Sequence, residues 1–218
     1  MSERAIVVVG AGPGVSGSVA RRFAQEGYAA GLVGVHADVL DTLAGEVRAL
    51  GVDAETTVAD ITDVAAASAA IGALAERLGR VDVLHFNPSA FREKDPLSLT
   101  VPELLEDVAL GVGALLTSVQ AARPFMSSGG RVTVTGSMAA DKPWNQAASL
   151  GVQKAGVRNL IHSLDTTLEP DGIRAVSVTV RGALSKEGPF TPDRVAEALW
   201  SAAHQDESEW QTEVPYEG

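Results

Sequence analysis

The chain has 218 residues, 45% hydrophobic and 21% charged, enough for a globular fold with a sizeable core and unlike a disordered or fibrous chain. Its formal net charge of −11 excludes the basic surface that nucleic acid or an anionic membrane requires. With no cysteine, disulfide and thiolate chemistry are excluded as well.

A strand begins almost at once, without a basic region and a cleavable apolar segment before it. No apolar run approaches the ~20 residues of a membrane helix. The expected setting is the cytoplasm, with no membrane partner. No linker, charge block or internal repeat divides residues 1–218, so one domain is expected.

Ala5 to Val9 reads as a buried strand ending at Gly10. A helix follows from Val15 to Glu26 and stops at Gly27. Ala29 to Val33 is a second strand. Leu40, Leu43, Val47 and Leu50 recur at helical spacing, and Gly51 ends that helix. Glu55 to Ala59 is a third strand. Val64, Ile71, Leu74 and Leu78 mark an amphipathic helix stopped by Gly79, and Val81 to Phe86 is a fourth strand. Thr100 and Glu103 form a capping-box signature, with Pro102 in the first turn. The helix they open is expected to run to about Met126. Its apolar residues, from Leu104 to Val119, spread beyond one stripe and predict a subunit contact as well as a core contact. Arg131 to Thr135, a helix over Ala147 to Leu168, and Ile173 to Val180 come next. A helix capped by Thr191 and a short strand over Glu213 to Tyr216 complete the pattern.

Strands alternate with helices, and several strands are apolar on both faces. That predicts an α/β fold: a doubly wound parallel sheet of six to seven strands with helices on both faces. Ligands of such sheets sit beyond the carboxyl ends of the strands, where the winding reverses. Gly10, Asn87 and Ser137 all fall there.

Ser137 to Lys154 reads SMAADKPWNQAASLGVQK. It resembles the active-site segment of the short-chain dehydrogenase/reductase family, in which a serine precedes a tyrosine by thirteen positions and a lysine follows the tyrosine by four. Ser137 and Lys154 keep that spacing, and Leu150 stands at the tyrosine position. The resemblance implies a Rossmann-type nucleotide-binding domain and covers nearly the whole chain, from Ala5 to about Trp200. In the family the tyrosine donates a proton to the carbonyl oxygen. The lysine lowers the tyrosine pKa and binds the nicotinamide ribose, and the serine polarises the carbonyl. An asparagine on the long helix anchors a water relay, and alignment puts Leu110 there.

The turn Gly10-Ala11-Gly12-Pro13-Gly14-Val15-Ser16 joins the first strand to the first helix. Glycines there let the backbone approach a pyrophosphate, and the helix N-terminus offers N–H groups and partial positive charge. The family pattern aligns with Gly10, Gly14 and position 16, where this chain has Ser16; Gly17 compensates if the turn slips by one residue. Asp60-Ile61 falls where the family reaches the adenine, although Asp60 also reads as the start of a helix cap. Asn87 falls beside the expected adenosine ribose. Gly34 leaves the second strand without the carboxylate of an NAD site, and His36 reads either as a weak helper or as a surface residue. The expected cofactor is NADP or NAD, with NADP slightly favoured.

Tyr28 and Tyr216 are the two tyrosines of the sequence. Tyr28 is expected in the core, and Tyr216, two residues from the C-terminus, reads as an end residue in preference to a donor reaching a neighbour's cleft in an oligomer. His85 and His162 read as packed residues. The segment from Arg181 to Phe190 is short for a lid. The resemblance thus implies an atypical NAD(P)-dependent oxidoreductase, moving hydride to or from a small organic substrate without the usual tyrosine acid. The expected assembly is a homodimer or homotetramer. A non-catalytic NAD(P)-binding or assembly protein, and a cofactor-independent enzyme, are the alternatives.

Overall fold

The computed structural model describes residues 4–218. Seven strands form one sheet: β1 (Arg4–Val9), β2 (Tyr28–Gly34), β3 (Ala54–Val58), β4 (Val83–Phe86), β5 (Arg131–Ser137), β6 (Arg174–Val180) and β7 (Glu213–Tyr216). All neighbours pair in parallel, in the order β3-β2-β1-β4-β5-β6-β7. The winding reverses between β1 and β4, so their carboxyl ends bound a crevice.

Strand side chains alternate between two helix layers. Ile6 and Val8 face α1 (Val15–Gln25), α2 (Ala37–Arg48) and α7 (Pro192–Ala203), where Phe23, Leu40, Val47, Val195 and Leu199 are buried. Val7 and Val9 face the opposite layer of α3 (Val64–Leu78), α5 (Ala114–Ala122) and α6 (Ala148–Leu168), with α4 (Val101–Val108) packed on α6. There Ile71, Leu74, Leu115, Val119, Val157 and Ile161 fill the core.

The long helix departs from its expected course. A π-turn, Ala109–Gly113, interrupts it between α4 and α5, and a short 3₁₀ turn, Arg123–Phe125, ends it. Extra backbone at a π-turn displaces the ladder locally, and Gly111 makes room there for a side chain from α6. The capping box at Thr100 and Glu103 is formed as expected.

The expectation of no membrane-length helix needs correction. Val101–Phe125 is long and apolar enough to cross a membrane, by length and composition alone. Local apolar runs hid this because Glu103, Glu106 and Asp107 interrupt its first half. Its second half lies within the domain, where Leu115, Val119 and Ala122 are core residues.

Candidate functional site

Gly10 leaves β1 with a positive φ of 76°, and a Cβ there would lie 2.6 Å from Pro88 Cγ. Both Gly10 and Ala11 donate their N–H groups to the Val33 carbonyl, at 3.0 and 2.8 Å. The glycine-rich turn is therefore held between the end of β2 and the segment after β4. Gly12 donates its N–H to Ser16 Oγ at 3.0 Å, and Ser16 is buried. Gly17 is needed sterically as well, because a Cβ would come within 2.5 Å of the Gly12 carbonyl oxygen. Gly12 and Gly14 border open space. Gly14 begins α1 with no capping side chain, and no acidic residue lies in the first turn. An open turn ahead of an uncapped helix N-terminus suits an anionic ligand.

His36 begins α2 from an extended conformation and is exposed, and its side chain makes no capping bond. Asp60 is exposed, and its Oδ1 accepts from the Thr62 N–H and hydroxyl at 2.9 and 2.7 Å. Those bonds hold its carboxyl below the usual carboxylate range. It is not the cap of α3. Asp63 is, accepting from Ala65 and Ala66, which corrects the capping reading of Asp60. The Ile61 side chain is in the core, so a ligand meets only its main chain. Asn87 follows β4, with its N–H on the Val9 carbonyl at 3.2 Å.

At the other end of the crevice, Ser137 is the last residue of β5, and its Oγ accepts from the Ala139 N–H at 3.2 Å. Lys154 lies in the second turn of α6 and is buried. Its Nζ donates to the Thr135 carbonyl at 2.9 Å. Burial pushes the ammonium down to about 8. Ser137 and Lys154 are thus both fastened to the end of β5. Leu150 is one helical turn before Lys154, on the same face of α6, and is partly buried. His85 is fully buried on β4, with Nδ1 3.0 Å from Thr133 Oγ1. Burial drives its pKa down to about 3, so its ring is neutral near pH 7.

Several residues lie elsewhere than a site reading would put them. Tyr28 is within β2 and buried as expected. The Tyr216 hydroxyl is engaged by the Pro189 carbonyl at 2.5 Å. His162 is exposed, which corrects its reading as a packed residue, because it falls on the solvent face of α6. Leu110 packs partly buried against the core. The short segment after β6 is tied to the C-terminal strand. Arg181 N–H donates to the Tyr216 carbonyl at 2.9 Å, and Phe190 meets the Tyr216 ring edge-on at 5.7 Å.

Two features were not expected. Arg92 grips the buried Asp107 with bonds of 3.0 and 2.9 Å, anchoring the segment after β4 to α4. Gln153, beside Lys154, is fully buried and binds Ala90. Neither is legible in the sequence, since the partners are far apart in it and no local spacing links them. A cavity of about 660 Å³ lies between α4, α6 and the segment after β5, lined by Val101, Leu104, Ala139, Trp144 and Val152 among others.

A family model described as short chain dehydrogenase matches residues 4–186. The chain belongs to the short-chain dehydrogenase family. Within it, the chain is similar to levodione reductase of Leifsonia aquatica, 26% identical over 209 residues, 90% of this chain and 78% of that protein. It is also similar to cis-4-hydroxycyclohexanecarboxylate dehydrogenase of Sinomonas cyclohexanicum, 29% identical over 220 residues, 91% of this chain and 88% of that protein. The fold matches a short chain dehydrogenase from Burkholderia cenocepacia solved in complex with NADP, with a TM-score of 0.91 and 24% identity, covering 99% of this chain and 96% of the other.

Proposed function

We propose that the crevice binds NADP(H) or NAD(H), and that this short-chain dehydrogenase family member transfers hydride to or from a small organic substrate without a tyrosine acid. The observation that carries this reading is the anchoring of Ser137 and Lys154 on the end of β5, flanking Leu150. The residues fit the nucleotide. The Gly10–Ser16 turn and the N-terminus of α1 take the pyrophosphate, Asp60 and the Ile61 main chain border the adenine, and Asn87 borders its ribose. His36 stands near the end of β2, where Gly34 offers no carboxylate to repel a 2′-phosphate. Lys154 holds the nicotinamide ribose. The relative solved with NADP supports NADP as the first cofactor to try.

The cofactor, when bound, supplies or accepts a hydride. Reduction of a ketone leaves an alkoxide that needs a proton, and losing a positioned general acid costs about 10²- to 10⁴-fold. Leu150 has no proton to give, while the Ser137 hydroxyl can donate a hydrogen bond to a substrate oxygen or nitrogen. Substrates that need no alkoxide protonation therefore suit the site: an iminium carbon, which becomes a neutral amine on gaining hydride, or an activated double bond. One named relative acts on a cyclohexanecarboxylate, which makes cyclic iminium compounds the first panel to assay.

Two measurements test this reading. NADPH should quench the tryptophan fluorescence of the chain on titration, and nicotinamide absorbance should fall with the iminium panel. Quenching without turnover would instead favour a non-catalytic NAD(P)-binding protein. Leu150→Tyr should gain ketone reduction by at least tenfold over the parent, since it returns an acid beside Ser137 and Lys154.

We further propose that the apolar outer face of α4 and α6 is where copies of the chain meet as a homodimer or homotetramer. Val101, Leu105 and Val152 are exposed there.

A further inference from the structure

One side chain of α6 clasps the start of the segment after β4, which is tied to the helix again further on by the Ala148 N–H on the Lys94 carbonyl at 3.1 Å. Gln153 Oε1 accepts from the Ala90 N–H at 2.8 Å, while Nε2 donates to the carbonyls of Ala90 and Ser149, both at 3.2 Å. The residue is fully buried, so water does not replace these bonds. A neutral carboxamide is the side chain that offers an acceptor and two donors at once. Leucine would leave the Ala90 N–H and carbonyl unpaired, and glutamate would set a carboxylate against two carbonyl oxygens.

The clasp has a third side. Gly111, in the π-turn of the long helix, packs directly on the amide: a Cβ there would lie 2.4 Å from Gln153 Oε1. Gln153 therefore joins three segments at one buried point. One is the Asn87–Ala90 segment, whose Pro88 packs on Gly10. The second is the turn of α6 that carries Lys154. The third is the π-turn.

We propose that Gln153 is a positioning residue for the nucleotide crevice. It fixes the height of the Asn87–Ala90 segment over the glycine-rich turn and, through the same bonds, the turn of α6 that presents Lys154. This role rests on the nicotinamide-nucleotide reading above. Losing the clasp frees Ala90, lets Pro88 shift on Gly10, and loosens both ends of the crevice together.

The experiment compares the parent chain with Gln153→Leu, Gln153→Glu, Gln153→Ala, Gly111→Ala and the double variant Gly111→Ala/Gln153→Ala. All are assayed at a temperature where circular dichroism shows them folded. The readouts are hydrogen exchange of the Ala90 amide and the NADPH dissociation constant by fluorescence. In Gln153→Leu the Ala90 amide should exchange at least tenfold faster, and NADPH should bind roughly tenfold more weakly, matching the loss of buried hydrogen bonds. Gln153→Glu keeps the acceptor and should retain most Ala90 protection while still losing affinity. Gly111→Ala presses on the amide and should weaken NADPH binding alone, but add nothing on top of Gln153→Ala. If Gln153→Leu does not fold, Gly111→Ala and Gln153→Glu decide the matter. Parent-like NADPH affinity in the folded variants, or unchanged Ala90 exchange in Gln153→Leu, overturns the positioning role alone. A parent chain whose fluorescence does not change on titration with NADPH or NADH overturns the cofactor reading and this role with it.

Discussion

On the proposed cofactor reading, the Ser16 hydroxyl acts on both stability and binding. It occupies the Gly12 N–H, a donor which that reading otherwise assigns to a pyrophosphate oxygen. Ser16→Ala should lower unfolding stability by about 1 kcal/mol in urea denaturation, yet tighten NADPH binding by freeing that donor. Equal or weaker binding would show that the Gly12 N–H does not face the ligand. Lys154 acts through its charge. Its ammonium titrates near 8 in the folded chain, against 10.5 when exposed. Below pH 8 both states hold the proton. Between 8 and 10.5 the unfolded state holds more protons, so stability rises with pH across that window. Lys154→Met should remove this rise in stability measured at successive pH values. In the parent chain, nucleotide binding should weaken above pH 8 as the ammonium is lost. His85 is the nearby titrating group, and being neutral down to about pH 3 it does not contribute in that window.

Among the elements, α3 separates two roles that adjacent carboxylates can be confused over. Asp63→Ala removes a two-bond cap and should cost about 1 kcal/mol with NADPH binding intact. Asp60→Ala should change nucleotide affinity while leaving the thermal midpoint nearly unmoved, because its carboxylate binds only its own turn. Element positions were largely legible in the sequence, because apolar period and glycine stops are local signals. The strands over 5–9, 131–135 and 213–216 and the capping box at Thr100 show this. The π-turn was not legible, because nothing in ALGVG distinguishes it from an ordinary helical turn until Gln153 is seen packed against Gly111. The candidate site was half legible. Ser137, Lys154 and the glycine turn stand at recognisable spacings, whereas the clasp at Ala90 and the Arg92–Asp107 pair depend on tertiary approach.

For the molecule as a whole, the proposed cofactor crevice and the proposed assembly face share one element, α6. Lys154 and Gln153 are buried on the inner side of this helix, while Val152 is exposed on the outer side. Light scattering should show a dimer or tetramer, and Val152→Glu should shift it towards monomer through charge placed in an apolar contact. A parent chain that scatters only as a monomer would remove the proposed assembly. With a net charge of −11, low salt should weaken self-association, since like-charged copies repel more when unscreened.

The π-turn between α4 and α5 also sets a rule for chain length. Successive helical residues are rotated by about 100° around the axis, so the turn acts as a phase adjuster between the two halves of the long helix. The turn absorbs one residue more than the α-turn it replaces, so the halves on either side keep nearly the facing of an unbroken helix. Removing one residue from Ala109–Gly113 would let the α ladder close straight through, with Asp107 still on the side of Arg92 and Leu115 still in the core. What would be lost is the local bulge, and the surface that now meets the Gln153 amide would carry a different residue.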